Sequence, residues 1–262
     1  MTVTLRNPHS VLAALQYRPH DVLEIITTAN PSSAWSEVLE QARVHRIPIR
    51  TALPSSGSER PASGKDRGGK FERQSSSEAT VRDRAPLTVE QLFEIAPPGP
   101  LAQKSDASGG VESNRHGIWL ALDCLQDPHN VGAVFRAAAF FGVRGIIATR
   151  DRSAPLSGTA YDVSAGGLES IPFAQPPNLA RALELAKKSG VWVLGTSEHA
   201  QQPLSSIKAD RPWLIVIGNE EGGLRRLTLE LCDEVCTIPS QGAVGSLNVS
   251  VATGILLYAL SR

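Results

Sequence analysis

From residue 117 onward the chain alternates short apolar runs with segments of helical periodicity, and this alternation restricts its fold more than any other feature. Residues 117–123 (GIWLALD), 144–149 (RGIIAT), 191–196 (VWVLGT) and 213–218 (WLIVIG) read as strands, while 129–141 and 179–189 read as helices. The strand runs are apolar almost throughout rather than alternating with polar residues. Strands of that kind are buried on both faces, as in a parallel sheet covered by helices on each side. Such sheets bind ligands beyond the C-terminal ends of their strands. The loops expected there are 125–130, 195–200, 218–223 and 241–246.

The last of these loops belongs to a longer stretch, 236–260 (CTIPSQGAVGSLNVSVATGILLYAL), in which a short strand-like run leads through a glycine-broken loop into a helix-like segment. Ser246 stands where an N-cap belongs. The segment 247–260 is apolar nearly all round, which predicts burial on several sides, with Asn248 and Ser250 as polar exceptions at its entrance. A loop feeding a helix N-terminus suits a polar ligand. An ordinary glycine-rich strand-to-helix turn fits the same residues.

Residues 3–53 read as a smaller α/β unit, with helices over 10–15 and 34–45, a strand over 22–28 and a short edge strand at 47–50 that contains Pro48. Composition then changes abruptly. Residues 55–85 hold seven Ser, four Gly and twelve charged residues but only Phe71 and Val81 as large apolar groups, which predicts a disordered insert. Within it, Gly64-x-x-x-x-Gly69-Lys70 imitates a phosphate-binding loop, but Phe71 stands where Ser or Thr is needed and no strand precedes it. Residues 86–96 are helix-like and expected to complete the N-terminal unit, making it 1–54 plus 86–96, and 97–116 reads as a linker to a domain at 117–262.

Lys+Arg and Asp+Glu balance at 26 each, so no global field draws the chain to nucleic acid, and any such contact must be local. Cys124, Cys232 and Cys236 make no disulfide framework and lack the further ligands of a metal site, so buried thiols and no metal are expected. No apolar signal core opens the chain and no run of 18 apolar residues occurs, so a cytoplasmic protein without a membrane partner is expected.

Three segments carry candidate chemistry. In DPHNVGAVFR (127–136), Asn130 can cap a helix and Arg136 lies nearly two turns on, leaning back toward the loop, where a guanidinium can grip a phosphate. A helix cap with a surface Arg is the plainer alternative. In GNEEGGL (218–224), Glu220 can accept hydrogen bonds from a ribose, an amine or the nearby Arg, and two carboxylates before the glycines disfavour phosphate cradling. The third segment is 238–248. No G-x-G-x-x-G follows any strand.

Taken in order, DPHNVGAVFRAAAFFGV, LIVIGNEEGGLRRLT and IPSQGAVGSLNVSVATGILLY resemble the three motifs of the SpoU RNA ribose 2′-O-methyltransferases of the SPOUT superfamily. The intervening DRSAPLSGTAYDVSAGGLESIPF is similar to the bacterial 23S rRNA guanosine-2′-O-methyltransferase branch. The resemblance runs from Trp119 to the C-terminus. It implies an α/β fold, a parallel sheet with a deep C-terminal trefoil knot, preceded by a small L30e-like RNA-binding domain that residues 7–53 match more weakly. In the family that domain ends in His-Gln-Gly; here the insert and linker stand in its place, and His116-Gly117 is a fragment of it.

The resemblance further implies an enzyme that uses S-adenosylmethionine, methylates RNA and forms a homodimer. Backbone groups at Gly218, Ile238 and Leu247 would hold the adenosine portion of the cofactor, with Gly195 and Thr196 lining the site. Asn130, Arg136, Glu220, Ser246 and Asn248 match the polar active-site positions. Arg136 would either activate the ribose hydroxyl with the help of an RNA phosphate or grip that phosphate. The tRNA-specific branch flanks its catalytic domain with helical extensions, and none follows the last helix here, so rRNA is the expected substrate. Methylation of tRNA and a noncatalytic RNA-binding role on the same fold are the alternatives.

Overall fold

A computed structural model describes residues 1–52, 77–96, 116–219 and 222–261. They fall into two compact units, Met1–Asp83 and Arg84–Arg262.

In the first unit, β1 (Thr2–Leu5), α1 (Pro8–Tyr17), β2 (Val22–Thr27), α2 (Ser36–Val44), β3 (Ile49–Thr51) and β4 (Glu78–Arg82) form a four-stranded sheet of order β1-β4-β2-β3 with its helices. Helix α1 starts as its sequence dictates: Asn7 accepts from the His9 N–H and Pro8 occupies the first turn, where no backbone donor is needed. Strand β3 lies at the edge, in agreement with Pro48. Strand β4 corrects the sequence reading, which puts 55–85 in a disordered insert. Residues 53–76, including the phosphate-loop imitation at 64–70, lie outside the described residues, but β4 pairs antiparallel with both β1 and β2. Its inward residues Ala79 and Val81 are fully buried, an alternation too short to stand out beside a charged tract.

The second unit is an α/β fold. After α3 (Val89–Ile95) it runs through β5 (Ile118–Leu122), α4 (Pro128–Phe140), β6 (Gly145–Ala148), α5 (Gly158–Ser164), α6 (Gly167–Ser170), β7 (Phe173–Ala174) and α7 (Leu179–Lys188). It continues with β8 (Trp192–Thr196), β9 (Gln202–Pro203), β10 (Trp213–Ile217), α8 (Arg226–Glu230), β11 (Glu234–Thr237) and α9 (Val249–Leu260). The seven strands form a sheet of order β7-β6-β5-β10-β8-β11-β9, and every adjacent pair is parallel. β5 and β10 are buried at every residue, as their uninterrupted apolar runs require. One face carries Trp119, Ala121, Val193, Leu214 and Val216 against Val89, Leu92 and Phe93 of α3 and Leu179, Leu183 and Ala186 of α7. On the other face lies α4, whose Phe135 meets Phe173 edge-on at 6.2 Å, and α4 packs in turn on α5, α6 and α9.

Three boundaries differ from the sequence reading. Residues 86–96 belong with the second unit and do not complete the first: the Leu87 N–H donates to Phe173 O, and the apolar face of α3 enters the sheet core. Helix α4 is capped by Asp127, which accepts from the His129 N–H at 2.8 Å with Pro128 next to it, so Asn130 sits inside the first turn. Helix α9 is capped by Asn248, not Ser246, and it is not buried all round, because Val251, Ile255 and Tyr258 form an exposed stripe at helical spacing. The expected linker falls outside the described residues over 97–115. No helix among the described residues is long and apolar enough to cross a membrane.

Candidate active site

The carboxyl edge of the sheet at β8, β10 and β11 borders a cavity of about 640 Å³. The loops that line it are those expected from the strand pattern: Ser197, Glu198 and His199 with Thr196 at the end of β8, Gly218, Asn219, Gly222, Gly223 and Leu224 after β10, and Ile238 through Gln241 and Val244 through Leu247 with Thr237 at the end of β11. Val249, Ala252 and Leu256 of α9 close one wall. The first expected loop, 125–130, does not line the cavity.

Close backbone packing shapes this site. A Cβ on Gly218 would lie 2.3 Å from the Gly223 carbonyl carbon and 2.6 Å from both its oxygen and the Leu224 nitrogen, so the loop after β10 folds back directly over its own start. Asn219 and Gly223 exchange two backbone hydrogen bonds at 3.0 Å each. Asn219 also donates from Nδ2 to Cys124 O at 2.9 Å and accepts from the Gly222 N–H at 3.3 Å. Gly195 stands behind the cavity wall, where a Cβ would meet Cys232 Sγ at 2.7 Å. Thr196 donates to Val216 O at 3.2 Å, joining β8 to β10 at the rim.

The predicted residues divide accordingly. Gly218, Ile238, Leu247, Thr196 and Ser246 line the cavity, and Gly195 supports it. Asn130 and Asn248 lie together beside it: Asn248 donates from Nδ2 to Asn130 Oδ1 at 3.0 Å, and its own Oδ1 accepts from the Ser250 N–H and hydroxyl. Arg136 is exposed on α4 and does not line the cavity. Glu220 lies outside the described residues.

Cys124 and Cys236 are buried, as expected, while Cys232 is only partly buried against the sheet core. Burial pushes Cys236, on the cavity wall, up to about 12 and Cys232 up to about 11, and Cys232 donates to Thr228 O at 3.2 Å. Among the described residues no group of three or more His, Cys, Asp or Glu is arranged to hold a metal ion.

Sequence reasoning missed Asp123, which is 1% exposed at the end of β5. Its Oδ2 accepts from Thr228 Oγ1 at 2.8 Å and from the Arg225 N–H at 3.4 Å, and Arg225 Nη2 lies 2.7 Å from its Oδ1. An acid directly ending an all-apolar strand was the available signal, because a carboxylate there is buried and must find partners.

A cavity with apolar walls, backbone polar groups at glycines and few charges suits a nucleoside-sized ligand. Leu224, Ile238, Val249, Ala252 and Leu256 supply apolar surface for a purine, and the glycine-containing loops after β10 and β11 line the rest of the cavity. These residues fit the adenosine portion of S-adenosylmethionine.

A family model described as the SpoU rRNA methylase family matches residues 117–258. Among curated relatives, a 23S rRNA (guanosine-2′-O-)-methyltransferase of Nitrosomonas europaea is 44% identical over 145 residues, 55% of this chain and 56% of that protein. The enzyme of the same name from Escherichia coli K12 is 42% identical over 165 residues, 63% of this chain and 68% of that protein. The matched region thus spans little more than half to about two thirds of those relatives. Among solved structures, a SpoU methyltransferase of Streptomyces viridochromogenes in complex with AdoMet superposes with a TM-score of 0.73 at 21% identity, covering 99% of this chain and 89% of that one. That last likeness is one of fold.

Proposed function

Because this chain belongs to the SpoU rRNA methylase family, we propose that it transfers a methyl group from S-adenosylmethionine to the 2′-hydroxyl of a guanosine ribose in 23S rRNA. The observation that carries the reading is the family match over 117–258, reinforced by relatives above 40% identity that bear that activity in their names. When bound, the cofactor supplies a methyl group already activated on sulfur, so the chemistry left to the protein is alignment and proton removal.

In this reading the backbone at Gly218, Ile238 and Leu247 holds the adenosine portion, with Thr196 at the rim and Gly195 keeping the wall close. Ser246 lines the same cavity, and Asn130, Asn248 and Glu220 serve the polar side facing the ribose. A guanidinium does not deprotonate in proteins, and Arg136 is exposed, so its assigned role is to grip an RNA phosphate beside the target ribose. The Met1–Asp83 unit is assigned as an L30e-like RNA-binding domain, with its four-stranded sheet and flanking helices as support. The C-terminal segment is assigned as knotted, supported by the insertion of β10 between β5 and β8 and of β11 between β8 and β9. The exposed stripe Val251, Ile255 and Tyr258 supports a homodimer, and the rRNA substrate assigns the reaction to the cytoplasm.

The test supplies labelled cofactor with large-subunit rRNA and with total tRNA, both lacking ribose methylation, and maps the 2′-O-methyl positions. Label in a 23S rRNA guanosine is expected. Label in tRNA alone moves the substrate to tRNA, and no label in either makes the protein a noncatalytic RNA binder.

A further inference from the structure

Resting on the cofactor reading above, we infer that Asp123 is a positioning residue for the S-adenosylmethionine site: its buried carboxylate fixes the backbone of Gly222, Gly223 and Leu224 through Arg225 and Thr228. Asp123 does not itself line the cavity, yet its carboxylate is buried beside the loop that does. Its side chain is fully enclosed, whereas that of Arg225 is 48% exposed, so the pair sits like a peg driven from the surface. Burying a carboxylate is costly, and apolar residues would fill the same volume at less cost, so what this arrangement provides is fixed geometry.

Two anchors act at once. Asp123 holds the far end of the loop after β10 through the Arg225 N–H, the Arg225 guanidinium and the Thr228 hydroxyl. The next residue, Cys124, takes a left-handed conformation at φ 62°, and its carbonyl accepts from Asn219 Nδ2, holding the near end. A non-glycine residue in that region is strained, and it persists where its surroundings over-determine it. Between the anchors, Asn219 and Gly223 close on each other, and Gly222, Gly223 and Leu224 face the cavity. The end of β5 therefore sets the position of a cavity wall contributed by the loop after β10, far along the chain.

The test measures S-adenosylmethionine binding by calorimetry, with thermal melting and near-ultraviolet circular dichroism on the same samples. Asp123→Asn keeps the shape and an acceptor for Thr228 but removes the charge that holds Arg225. It should weaken cofactor binding by about 10-fold and raise the cofactor KM in step, while kcat at saturating cofactor stays within about 3-fold. Arg225→Lys should retain most of the affinity, and Arg225→Gln should lose it as Asp123→Asn does. A lower Tm with unchanged affinity in Asp123→Asn would reduce the acid to a stability role and overturn the inference. If Asp123→Asn does not fold, Arg225→Gln, altered at a half-exposed side chain, decides in the same way: affinity equal to wild type overturns it. Wild-type protein that fails to bind S-adenosylmethionine overturns the cofactor reading itself, whereas wild-type binding with unaltered variants overturns only the role of Asp123.

Discussion

Asn248 donates from Nδ2 to Asn130 Oδ1 at 3.0 Å, linking the start of α9 to the first turn of α4 across 118 residues of chain. Asn248 also caps α9 with its own Oδ1, so one side chain orders the helix entrance and fastens it to its neighbour. Replacing Asn248 with Ala removes both interactions and should cost about 1–2 kcal/mol, since loss of a cap alone costs about 1 kcal/mol. Asn130→Ala leaves the cap in place and removes the link between α4 and α9. A double-mutant cycle followed by thermal or denaturant unfolding should return a coupling of about 0.5–1.5 kcal/mol, and additive effects would mean that the pair contributes nothing together.

Gly218 and Gly242 lie in the loops after β10 and β11 but tolerate a side chain differently. A Cβ on Gly218 would meet backbone atoms at 2.3 and 2.6 Å, and backbone cannot rotate away as a side chain can. At Gly242 nothing lies within 4 Å. Gly218→Ala should therefore shift the loop after β10 and weaken S-adenosylmethionine binding by about 10-fold or more, in line with an overpacking cost of about 1–3 kcal/mol. Gly242→Ala should bind like wild type, and calorimetric titration of both distinguishes the cases.

The thiols give a pH dependence. Burial raises Cys232 to about 11 and Cys236 to about 12, above the roughly 8.5 of a free thiol, so the folded state holds these protons more tightly than the unfolded chain does. Their contribution to stability is complete below about pH 8.5 and is lost as pH rises toward the folded values. Unfolding midpoints should fall between about pH 8.5 and about pH 11 and fall less in a Cys232→Ala, Cys236→Ala variant. At about pH 8 iodoacetamide should alkylate Cys232 and Cys236 slowly in the folded protein and fully in denaturant.

Most of the second unit was legible because its signals are local and repeated. An uninterrupted run such as WLIVI has only one comfortable place in a soluble fold, and the loops after β8, β10 and β11 follow from the strand pattern. What escaped depends on pairing across distance. The Asp123–Arg225 ion pair joins residues 102 positions apart, and the burial of Ala79 and Val81 exists only because β1 and β2 flank them. The two helix caps escaped for a narrower reason. Ser246, Asn248, Asp127 and Asn130 are all good cap residues, and backbone conformation alone selects among neighbours of equal propensity. The exposed stripe on α9 follows from which face of an apolar helix its neighbours cover, and composition does not record that.

Strand β4 supplies the next expectation. Lying between β1 and β2, it holds the first sheet together, and its removal leaves β1 with no partner in that sheet. Deleting residues 78–82 should therefore unfold the Met1–Asp83 unit while the second unit still melts cooperatively and binds S-adenosylmethionine. Val81→Asp, which buries a charge without a partner, should do the same in milder form, at about 3 kcal/mol or more. Hydrogen exchange resolved by segment checks both, and native-like protection of β1 and β2 in the deletion variant would contradict the assignment.

Arg136 separates binding from catalysis. It is exposed on α4, away from the cavity wall, while the proposed cofactor contacts come from backbone in the loops after β10 and β11. Arg136→Ala should leave S-adenosylmethionine affinity within about 2-fold of wild type and lower methyl transfer to rRNA by about 100-fold or more, the scale of a lost positioning contact. If the guanidinium grips a phosphate, Arg136→Lys keeps the charge without the bidentate fork and should recover part of the activity, with a steeper loss as salt is raised. Calorimetry beside a labelled-methyl assay measures both quantities. Wild-type turnover by the Ala variant would remove Arg136 from the reaction, and a parallel loss of cofactor affinity would move it into the cofactor site.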